Sequence, residues 1–353
     1  MKILVLGGTG AMGTPLVSLL CKNNNEVYVT SRSKKESSGN LHYLQGNARE
    51  DDFLKNILEE FYDVIVDFMF YKSDDLKRRL PLLLSKTNQY IFLSSSRVYA
   101  QTKEKITENS PRLLDSQIDE EYLKTDEYAL AKAREEDLLK NSGKTNWTII
   151  RPYITYNSQR LQLGVYEKEN WLYRALHGRT IVFPKDIAEC TTSLTYGVDV
   201  ARVMAKLIGN PSAYGEEFHI VTEQTATWRE VLEIYLNVIE ECTGKRPKVM
   251  FVENSEGLQK VWNSAQIKYD RLYNRKFSNK KITSVCGEIQ YKDLKEGLRE
   301  CLEEFLKNPK WLTLNYRYET WADKVTKEHT SLSEICGVKN KLRYIKHRYI
   351  DKN

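Results

Sequence analysis

The sequence predicts an α/β fold of the Rossmann type, a doubly wound parallel sheet with a smaller, mostly helical C-terminal substrate lobe. Apolar runs rich in β-branched residues recur over the first 150 residues, with amphipathic, helix-like segments between them. Unbroken apolar runs are typical of strands buried on both faces of a parallel sheet. The expected strands are Ile3–Leu6, Val27–Thr30, Leu41–Leu44, Val64–Phe68, Tyr90–Leu93 and Trp147–Ile150, and the expected helices are Pro15–Lys22, Asp52–Glu59, Asp74–Leu84 and Tyr128–Lys140.

The pattern loosens after residue 152. A strand-like run (Thr191–Tyr196), a helix (Asp199–Leu207) and another strand (Glu217–Val221) precede a helical stretch rich in Lys, Glu and aromatic residues. We predict a Rossmann domain over residues 1–150, completed by about 190–222, a substrate lobe over 151–189 and 223–335, and a basic tail over 336–353. Leu342, Ile345 and Tyr349 in the tail are expected to share one apolar helix face, which docks on the protein itself or on an anionic surface or partner.

The composition is that of a soluble globular protein, with 41% hydrophobic and 29% charged residues. The formal net charge is +6, which fits an anionic substrate and also fits non-specific nucleic-acid binding. The six cysteines form no C-x-x-C pair and the five histidines have no metal-ligand spacing, so we expect neither disulfides nor a metal. No apolar run reaches the roughly 20 residues of a membrane span and no signal peptide is recognised, so we expect a cytoplasmic protein without a membrane span.

The first expected strand runs into a glycine-rich turn with Gly7, Gly10 and Gly13. Gly7 allows a tight turn, Gly10 lets the backbone approach a pyrophosphate, and Gly13 lets the next helix lie close to the sheet. The N-terminus of that helix offers N–H groups to the phosphates. The whole turn, with Thr9, Ala11 and Met12 between the glycines, is therefore the predicted dinucleotide-binding loop.

The end of the second expected strand bears on the choice of coenzyme. NAD enzymes commonly place an acidic residue there for the ribose 2′-hydroxyl, whereas an arginine accommodates a 2′-phosphate. No acid stands at this strand end, and Arg32 does. We therefore expect NADP, with NAD as the alternative. An Arg32 that is only an exposed loop residue, or that stacks on adenine, is the competing interpretation.

A phenol and an ammonium group, Tyr128 and Lys132, stand four residues apart on one face of an expected helix. A phenol that acts as a base near neutral pH needs about 4 kcal/mol of help, which nearby positive charge supplies. Three hydroxyl residues, Ser94, Ser95 and Ser96, follow the fifth expected strand, and one of them is expected to bond the substrate oxygen whose proton Tyr128 moves. Because these motifs follow the glycine turn in the order that catalysis requires, we interpret the pair as catalytic rather than as an exposed helix face.

Together these motifs resemble the extended short-chain dehydrogenase/reductase family, in particular the NAD-dependent epimerase/dehydratase group that acts on nucleotide sugars. The resemblance covers about residues 1–305 and rests on the glycine turn, the Ser-Ser-Ser-x-Val-Tyr strand end, the Tyr-x-x-x-Lys pair and Arg151-Pro152. It implies that Tyr128 is the acid/base, that Lys132 holds the nicotinamide ribose and favours the phenolate, and that Ser95 is the catalytic hydroxyl. Members often form homodimers through two helices per subunit, for which segments 74–85 and 120–140 are the candidates.

The resemblance also implies contacts to the coenzyme. Asn47, with Ala48 beside it, matches the usual aspartate next to adenine. The segments that follow the fourth and sixth expected strands line the nicotinamide side in such folds. The residues so implied are Phe68, Met69, Phe70, Ser94, Pro152, Tyr153 and Ile154, together with Tyr128 and Lys132.

The sequence departs from the family pattern near both ends of the expected site. Ser31 occupies the position of the NAD-selective aspartate, and Ser96 and Arg97 replace the acidic pair of the dehydratases. Without those acids, 4,6-dehydration ranks below epimerisation or keto-reduction, and Ser96 and Arg97 become candidate substrate contacts. Arg271 and Arg275, with Lys268, are the candidates for holding a sugar-nucleotide diphosphate, exposed basic residues being the alternative.

We therefore predict an NAD(P)-dependent enzyme that epimerises or reduces an NDP-sugar. Reduction of another small carbonyl compound is one alternative. A non-catalytic nucleotide- or RNA-binding protein is another, because the sequence is also similar to a subgroup that contains chloroplast stem-loop RNA-binding proteins. Several members of that subgroup have lost the catalytic tyrosine, whereas Tyr128 is present here, so binding of nucleic acid is the less favoured interpretation.

Overall fold

The structure, a computed structural model, describes residues 1–350 of the chain. Its strands are β1 (Lys2–Leu6), β2 (Glu26–Ser31), β3 (Leu41–Gln45), β4 (Tyr62–Asp67), β5 (Thr87–Leu93), β6 (Trp147–Pro152), β7 (Ile154–Tyr156), β8 (Ile181–Pro184), β9 (Thr191–Thr192), β10 (Leu194–Tyr196), β11 (Glu216–Ile220), β12 (Ala226–Thr227) and β13 (Val249–Val252).

The α-helices are α1 (Gly13–Lys22), α2 (Asp51–Ile57), α3 (Ser73–Ser85), α4 (Leu113–Ser116), α5 (Glu120–Leu123), α6 (Tyr128–Lys140), α7 (Lys168–Leu176), α8 (Lys185–Ala188), α9 (Gly197–Leu207), α10 (Trp228–Thr243), α11 (Glu256–Gln259), α12 (Ser264–Gln266), α13 (Lys280–Cys286), α14 (Leu294–Lys307), α15 (Tyr316–Thr326) and α16 (Val338–Ile345). Ser96–Val98 and Pro211–Ala213 form 3₁₀ turns, and Ile267–Arg271 and Lys346–Ile350 form single π-helical turns.

Seven parallel strands make the central sheet, in the order β11-β6-β5-β4-β1-β2-β3. The order reverses at β1, which lies between β4 and β2, and this is the Rossmann arrangement in which ligands bind beyond the carboxyl ends of the strands. The glycine turn follows β1, Arg32 follows β2, and the three serines follow β5. The topology therefore brings these sequence-distant segments to one edge of the sheet.

Both faces of the sheet are covered, as its unbroken apolar strands require. Side chains alternate along β1, so that Ile3 and Val5 join a buried cluster with residues of α1 and α9. Leu4 and Leu6 point the other way and join a second cluster with residues of α2 and α3. Each such fully buried aliphatic side chain contributes roughly 1.5–3 kcal/mol to folding. The result is a rigid three-layer frame beneath the edge that carries the site.

The chain divides into two compact units. The first comprises Met1–Thr155, Ser193–Glu223 and Lys276–Lys292, and the second comprises Tyr156–Thr192, Gln224–Arg275 and the described chain from Asp293 on. Residues 276–292, which the sequence placed with the substrate lobe, belong to the first unit. The Ile106 N–H donates to the Lys276 carbonyl over 2.7 Å, and the Phe277 ring lies 6.5 Å from the Tyr99 ring.

The second unit is mostly helical. Helix α10 begins at a capping box in which Thr227 and Glu230 satisfy each other's backbone N–H groups, and it ends at Gly244 in the left-handed conformation. Helix α14 packs on α10. Two small two-stranded sheets, β8 with β13 and β9 with β12, complete this unit.

The predicted fold class is confirmed, as are the six predicted strands and four predicted helices of the first 150 residues, with ends shifted by a few residues. Helix α6 has the predicted bounds, whereas β5 begins at Thr87, earlier than predicted, and β4 ends at Asp67, before Phe68. The strand expected at Glu217–Val221 is β11, which pairs with β6 as the seventh strand of the sheet.

The predicted apolar face of the tail helix is mostly exposed and is not the face that docks on the chain. Leu342 and Tyr349 are 62% and 60% exposed. The buried residue is Tyr344, whose hydroxyl donates to Asp323 Oδ2 over 2.7 Å. The tail docks on its own chain, as expected, but through a tyrosine that makes a hydrogen bond rather than through its aliphatic stripe. No helix in residues 1–350 is both long enough and apolar enough to cross a membrane.

Candidate active site

The glycine turn has the geometry that its sequence requires. Gly7 has φ +71°, a backbone conformation that favours glycine, and a Cβ there would also lie 2.9 Å from Met69 Sδ. The Gly7 N–H donates to Thr30 Oγ1 over 3.0 Å, and the Thr9 N–H donates to the Gly7 carbonyl over 2.9 Å. These bonds hold the turn against the ends of β1 and β2.

Gly10 and Gly13 have different surroundings. A Cβ on Gly13 would lie 2.6 Å from the carbonyl carbon of Gly8, so this glycine lets α1 begin against the turn. A Cβ on Gly10 would meet nothing within 4 Å, so the backbone there faces open space. Open space in front of a glycine at a helix N-terminus is what a pyrophosphate needs. Ala11 and Met12 complete the turn, and no acidic residue lies in the first turn of α1.

A cavity of about 890 Å³ adjoins the turn. Nine predicted cofactor residues line it: Gly7, Thr9, Ser31, Arg32, Asn47, Ala48, Phe68, Met69 and Phe70. Five further residues at the ends of β2 and β3 line the cavity and were not predicted, namely Thr30, Ser33, Lys35, Gly46 and Arg49. Their position at these strand ends could have indicated them. Three cations and no carboxylate line this cavity, so it favours an anionic ligand.

Short hydrogen bonds hold the part of the cavity that lies at the carboxyl ends of β2 and β3, which we call its far end. The Ser31 hydroxyl donates to the Ser33 carbonyl over 2.8 Å, whereas Arg32 is exposed. Asn47 accepts from the Arg49 N–H over 3.1 Å through Oδ1 and donates to Glu50 Oε1 over 3.2 Å through Nδ2. The volume, the open glycine turn and the positive lining together fit a dinucleotide such as NAD(P).

Tyr128 is the first residue of α6, and its ring lies between two side chains. Phe70, which lines the cavity, stacks on it with ring centroids 5.6 Å apart and planes 21° apart. The Arg97 guanidinium lies over the ring, 5.2 Å from its centroid, and pairs with Glu127 over 2.8 Å. The Glu127 side chain also caps α6 by accepting from the Ala129 N–H. Strand-end and helix-start residues thus fix the phenol beside the coenzyme cavity.

Lys132 is on the same helix but is buried. Its Nζ lies 3.0 Å from Glu135 Oε2 and 4.5 Å from the centroid of the Phe92 ring. Burial raises the pKa of Glu135 to about 7, against the pull of the Lys132 charge. Burial also raises the pKa of Asp67, which accepts hydrogen bonds from two tyrosines behind the site. The sequence analysis missed Glu135, although its spacing of three residues from Lys132 could have indicated the pair.

The three serines after β5 face different partners. The Ser94 hydroxyl donates to Glu136 Oε1 over 2.5 Å and the Ser96 hydroxyl to the Arg151 carbonyl over 2.8 Å. All three serines are buried. The structure therefore does not support Ser94 as a coenzyme contact or Ser96 as a substrate contact. Ser95 Oγ instead accepts from the Arg97 N–H over 3.2 Å, which leaves its O–H able to donate to a substrate.

Most of the other predicted residues are buried, five of them at the end of β6 or in the second unit. Pro152, Tyr153 and Ile154 are buried where β6 ends, and the Tyr153 ring lies 5.5 Å from the Phe277 ring. In the second unit Arg271 and Arg275 are 2% and 0% exposed, and both guanidinium groups bind Asp270. The structure therefore does not support these two arginines as diphosphate ligands. Lys268 is exposed, with its Nζ over the Tyr269 ring.

The sheet order, the glycine turn and the tyrosine beside the cavity define an extended short-chain dehydrogenase/reductase. The sequence model of the NAD dependent epimerase/dehydratase family matches residues 3–221, and the chain belongs to this family. The predicted membership of the NAD-dependent epimerase/dehydratase family is thereby confirmed.

Individual relatives are more distant. The chain is 28% identical over 246 residues to "Chloroplast stem-loop binding protein of 41 kDa b" of Arabidopsis thaliana, a match that covers 64% of this chain and 60% of that protein's length. Two solved structures share the fold at 17% identity. Pal from Bacillus thuringiensis matches with a TM-score of 0.66 over 88% of this chain and 100% of its own. UDP-glucuronic acid 4-epimerase from Bacillus cereus, in complex with NAD, matches with a TM-score of 0.64 over 86% and 99%.

Proposed function

We propose that this protein is an NADP(H)-dependent nucleotide-sugar epimerase or keto-reductase with Tyr128 as its acid/base. The observation that carries the proposal is the stacking of Tyr128 on Phe70, because Phe70 also lines the cavity that fits a dinucleotide. A phenol at that place lies beside the coenzyme, where proton and hydride transfer can be coupled.

Each residue has a definite task in this reaction. The Tyr128 phenolate takes the proton of a sugar hydroxyl, and the Ser95 hydroxyl donates a hydrogen bond to the same oxygen. The bound nicotinamide ring supplies the acceptor for the hydride that leaves the carbon, which becomes a carbonyl carbon. After epimerisation Tyr128 would return the proton to the same oxygen, and in a reduction it would supply that proton as the carbonyl becomes a hydroxyl.

Arg97 is the cation that we assign to stabilising the phenolate. Its guanidinium lies over the Tyr128 ring, whereas the Lys132 ammonium lies 3.0 Å from the Glu135 carboxylate. A cation over an aromatic ring is worth about 0.5–2 kcal/mol, and it gains when the ring oxygen becomes negative. This role explains why an arginine is tolerated where the dehydratase pattern has an acid.

The charges at the far end of the coenzyme cavity support NADP over NAD. Arg32, Lys35 and Arg49 line it without a carboxylate, and Ser31 stands at the strand end. A 2′-phosphate is stabilised by such a set of cations, whereas a free 2′-hydroxyl commonly has an acidic partner. The solved structures with this fold include a UDP-glucuronic acid 4-epimerase in complex with UDP-glucuronic acid and NAD, which makes UDP-sugars the first substrates to test.

The test is turnover of UDP-sugars by the full chain with NAD(H) or NADP(H), followed by NMR of the products. Tyr128→Phe should lower turnover at least a hundredfold, as expected for loss of a general acid/base, while coenzyme affinity stays within about twofold. Tyr214→Phe, at a half-buried tyrosine of the same unit, is the control. Full activity of Tyr128→Phe rules out the proposed base.

Arg97→Leu tests the assigned cation. It should move the acidic limb of the pH–rate profile to higher pH, and Arg97→Lys should restore part of the difference. An unchanged profile in Arg97→Leu removes the cation from the mechanism while leaving Tyr128 in place.

The similarity to the stem-loop binding protein favours RNA binding as a second candidate function. Wild-type and Tyr128→Phe proteins should both be titrated with a stem-loop RNA and with the coenzyme. RNA binding that displaces the coenzyme, in a protein that turns over no sugar nucleotide, would favour this second function over the first.

A further inference from the structure

A second cavity, of about 480 Å³, lies in the second unit and shares no lining residue with the coenzyme cavity. Its walls come from α11, α15 and the π-helical turn Lys346–Ile350. The volume is in the range of small-molecule pockets. We refer to it as the tail cavity, because the basic C-terminal tail contributes His347 to it.

The tail cavity is lined by cations. Lys260, Arg317, Lys324 and His347 line it, and within the described chain no aspartate or glutamate does. A cavity with this lining has a positive potential that favours an anion. Arginine and lysine side chains that line one cavity are typical of phosphate-binding sites.

Helix α15 separates its charges by face. Arg317 and Lys324 lie seven residues apart and therefore on one face, toward the cavity. The buried carboxylates of the same helix, Glu319 and Asp323, lie on the opposite face and bind Arg174 over 2.6 and 2.8 Å. These acids are paired with Arg174 on the far side of the helix and do not line the cavity.

One wall of the tail cavity is aromatic. The Trp321 indole lines it and rests on the buried Tyr318, with ring centroids 5.8 Å apart. Gly257 also lines the cavity and lies against the indole, since a Cβ there would lie 3.0 Å from Trp321 Nε1. A half-buried indole with a supported back presents a flat face on which a heteroaromatic ring can stack.

The tail is held in place at this cavity. The buried Tyr344 binds Asp323 Oδ2 on α15 and also accepts from the Thr330 N–H over 3.2 Å. His347, one turn further along, stacks on Tyr316 with ring centroids 6.4 Å apart. The basic tail is thus part of a built cavity, which the sequence alone did not indicate.

We propose that the tail cavity binds a nucleoside 5′-phosphate, with its base stacked on Trp321 and its phosphate among Lys260, Arg317 and Lys324. An anion that carries an aromatic ring can contact the cations and stack on the indole at the same time, whereas inorganic phosphate would contact only the cations. Single-stranded RNA is the less suitable occupant, because it is usually held by a series of aromatic side chains along a groove and a single indole lines this cavity.

Photolabelling of the full-length protein with 2-azido-AMP, mapped by mass spectrometry, tests the proposal. The label is expected on residues 317–325 or 346–350, and excess AMP should remove it. Trp321→Ala should weaken labelling about tenfold, in line with the loss of one stacked base. Gly257→Leu, which places a bulky side chain against the Trp321 indole, should do the same if both variants keep the wild-type circular dichroism.

The matched control is the double variant Lys245→Ala/Lys248→Ala, which removes two exposed cations of the same unit that do not line the cavity. Its labelling should stay within twofold of the wild type. Labelling confined to residues 7–13, equal competition by inorganic phosphate and AMP, or RNA crosslinking at residues 317–325 without any AMP labelling there would each overturn the proposal.

Discussion

Replacing Arg32 with alanine should weaken NADPH binding about tenfold and leave NADH binding within about twofold of the wild type, since one cation beside the 2′-phosphate is worth about 1.4 kcal/mol here. The two coenzymes differ only in that phosphate. The variant therefore isolates the charge of Arg32 from its other contacts.

The magnitude follows from the exposure of Arg32 and from its neighbours. Two unit charges 4 Å apart attract by about 1 kcal/mol in water and by about 4 kcal/mol near a protein surface. Arg32 is exposed, and Lys35 and Arg49 line the same cavity and remain in the variant. The loss should therefore lie toward the lower of the two values. Arg32→Asp should cost NADPH more, because repulsion is added to the lost attraction.

Isothermal titration of each coenzyme, at about 0.02 and about 0.2 M salt, measures the effect and its screening. The difference between wild type and Arg32→Ala should shrink at the higher salt concentration. Arg78→Ala is the matched control, because Arg78 is an exposed arginine of the same unit that pairs with Asp51 and does not line the cavity. It should leave both affinities unchanged.

Equal weakening of NADPH and NADH would refute the reasoning, because an arginine that stacks on adenine or supports the loop acts on both coenzymes alike. So would an unchanged NADPH affinity, which would mean that Arg32 points into solvent when the coenzyme is bound. Either result would leave the glycine turn and Tyr128 untouched as parts of the site.

Two further predictions concern the glycine turn and the pH dependence of stability. Gly13→Ala should lower the free energy of unfolding in urea by about 1–3 kcal/mol, because its Cβ would lie 2.6 Å from the Gly8 carbonyl carbon. Gly10→Ala should unfold like the wild type but bind coenzyme at least tenfold more weakly, because a Cβ there meets only open space. Equal stabilities of the two variants would contradict this prediction. Burial raises the pKa of Glu135 from 4.5 to about 7, so the folded state holds a proton that the unfolded state releases, and stability should fall by about 3 kcal/mol as pH rises from 4.5 through 7. Glu135→Gln should flatten that decline between pH 5 and pH 8, and an unchanged slope would show that other groups cause it.

The fold was predictable because each strand of a parallel sheet carries its own signal. Local sequence patterns were enough to predict the apolar strands, the glycine turn and the helix that begins at Tyr128. The seventh strand was recognisable as a strand, but its partner was not, because its pairing with β6 joins residues 68 positions apart. The inclusion of residues 276–292 in the first unit was equally hidden, since it depends on long-range contacts such as that of Phe277 with Tyr99.

The directions of side chains at the site could not be predicted. Ser94, Ser95 and Ser96 have the same chemistry, and only the turn after β5 decides that Ser94 meets Glu136 while Ser96 meets the Arg151 carbonyl. The burial of Arg271 was likewise unpredictable, because a run of basic residues is more often exposed. In each case the environment of the side chain is decided by its partner, which is either distant in sequence or an adjacent acid. The residue type alone does not reveal that partner.

Two cations near Tyr128, Arg97 and Lys132, are paired with different carboxylates. Arg97 lies over the phenol and pairs with Glu127, and Lys132 is buried against Glu135. Because the pKa of Glu135 is raised to about 7, the Lys132–Glu135 pair carries a net positive charge below neutrality and is neutral above it. Arginine keeps its charge over this whole range, and the Arg97 guanidinium lies over the phenol ring while it pairs with Glu127. The positive charge near the phenol is therefore expected to fall as Glu135 ionises, because the Glu127 carboxylate already offsets that of Arg97.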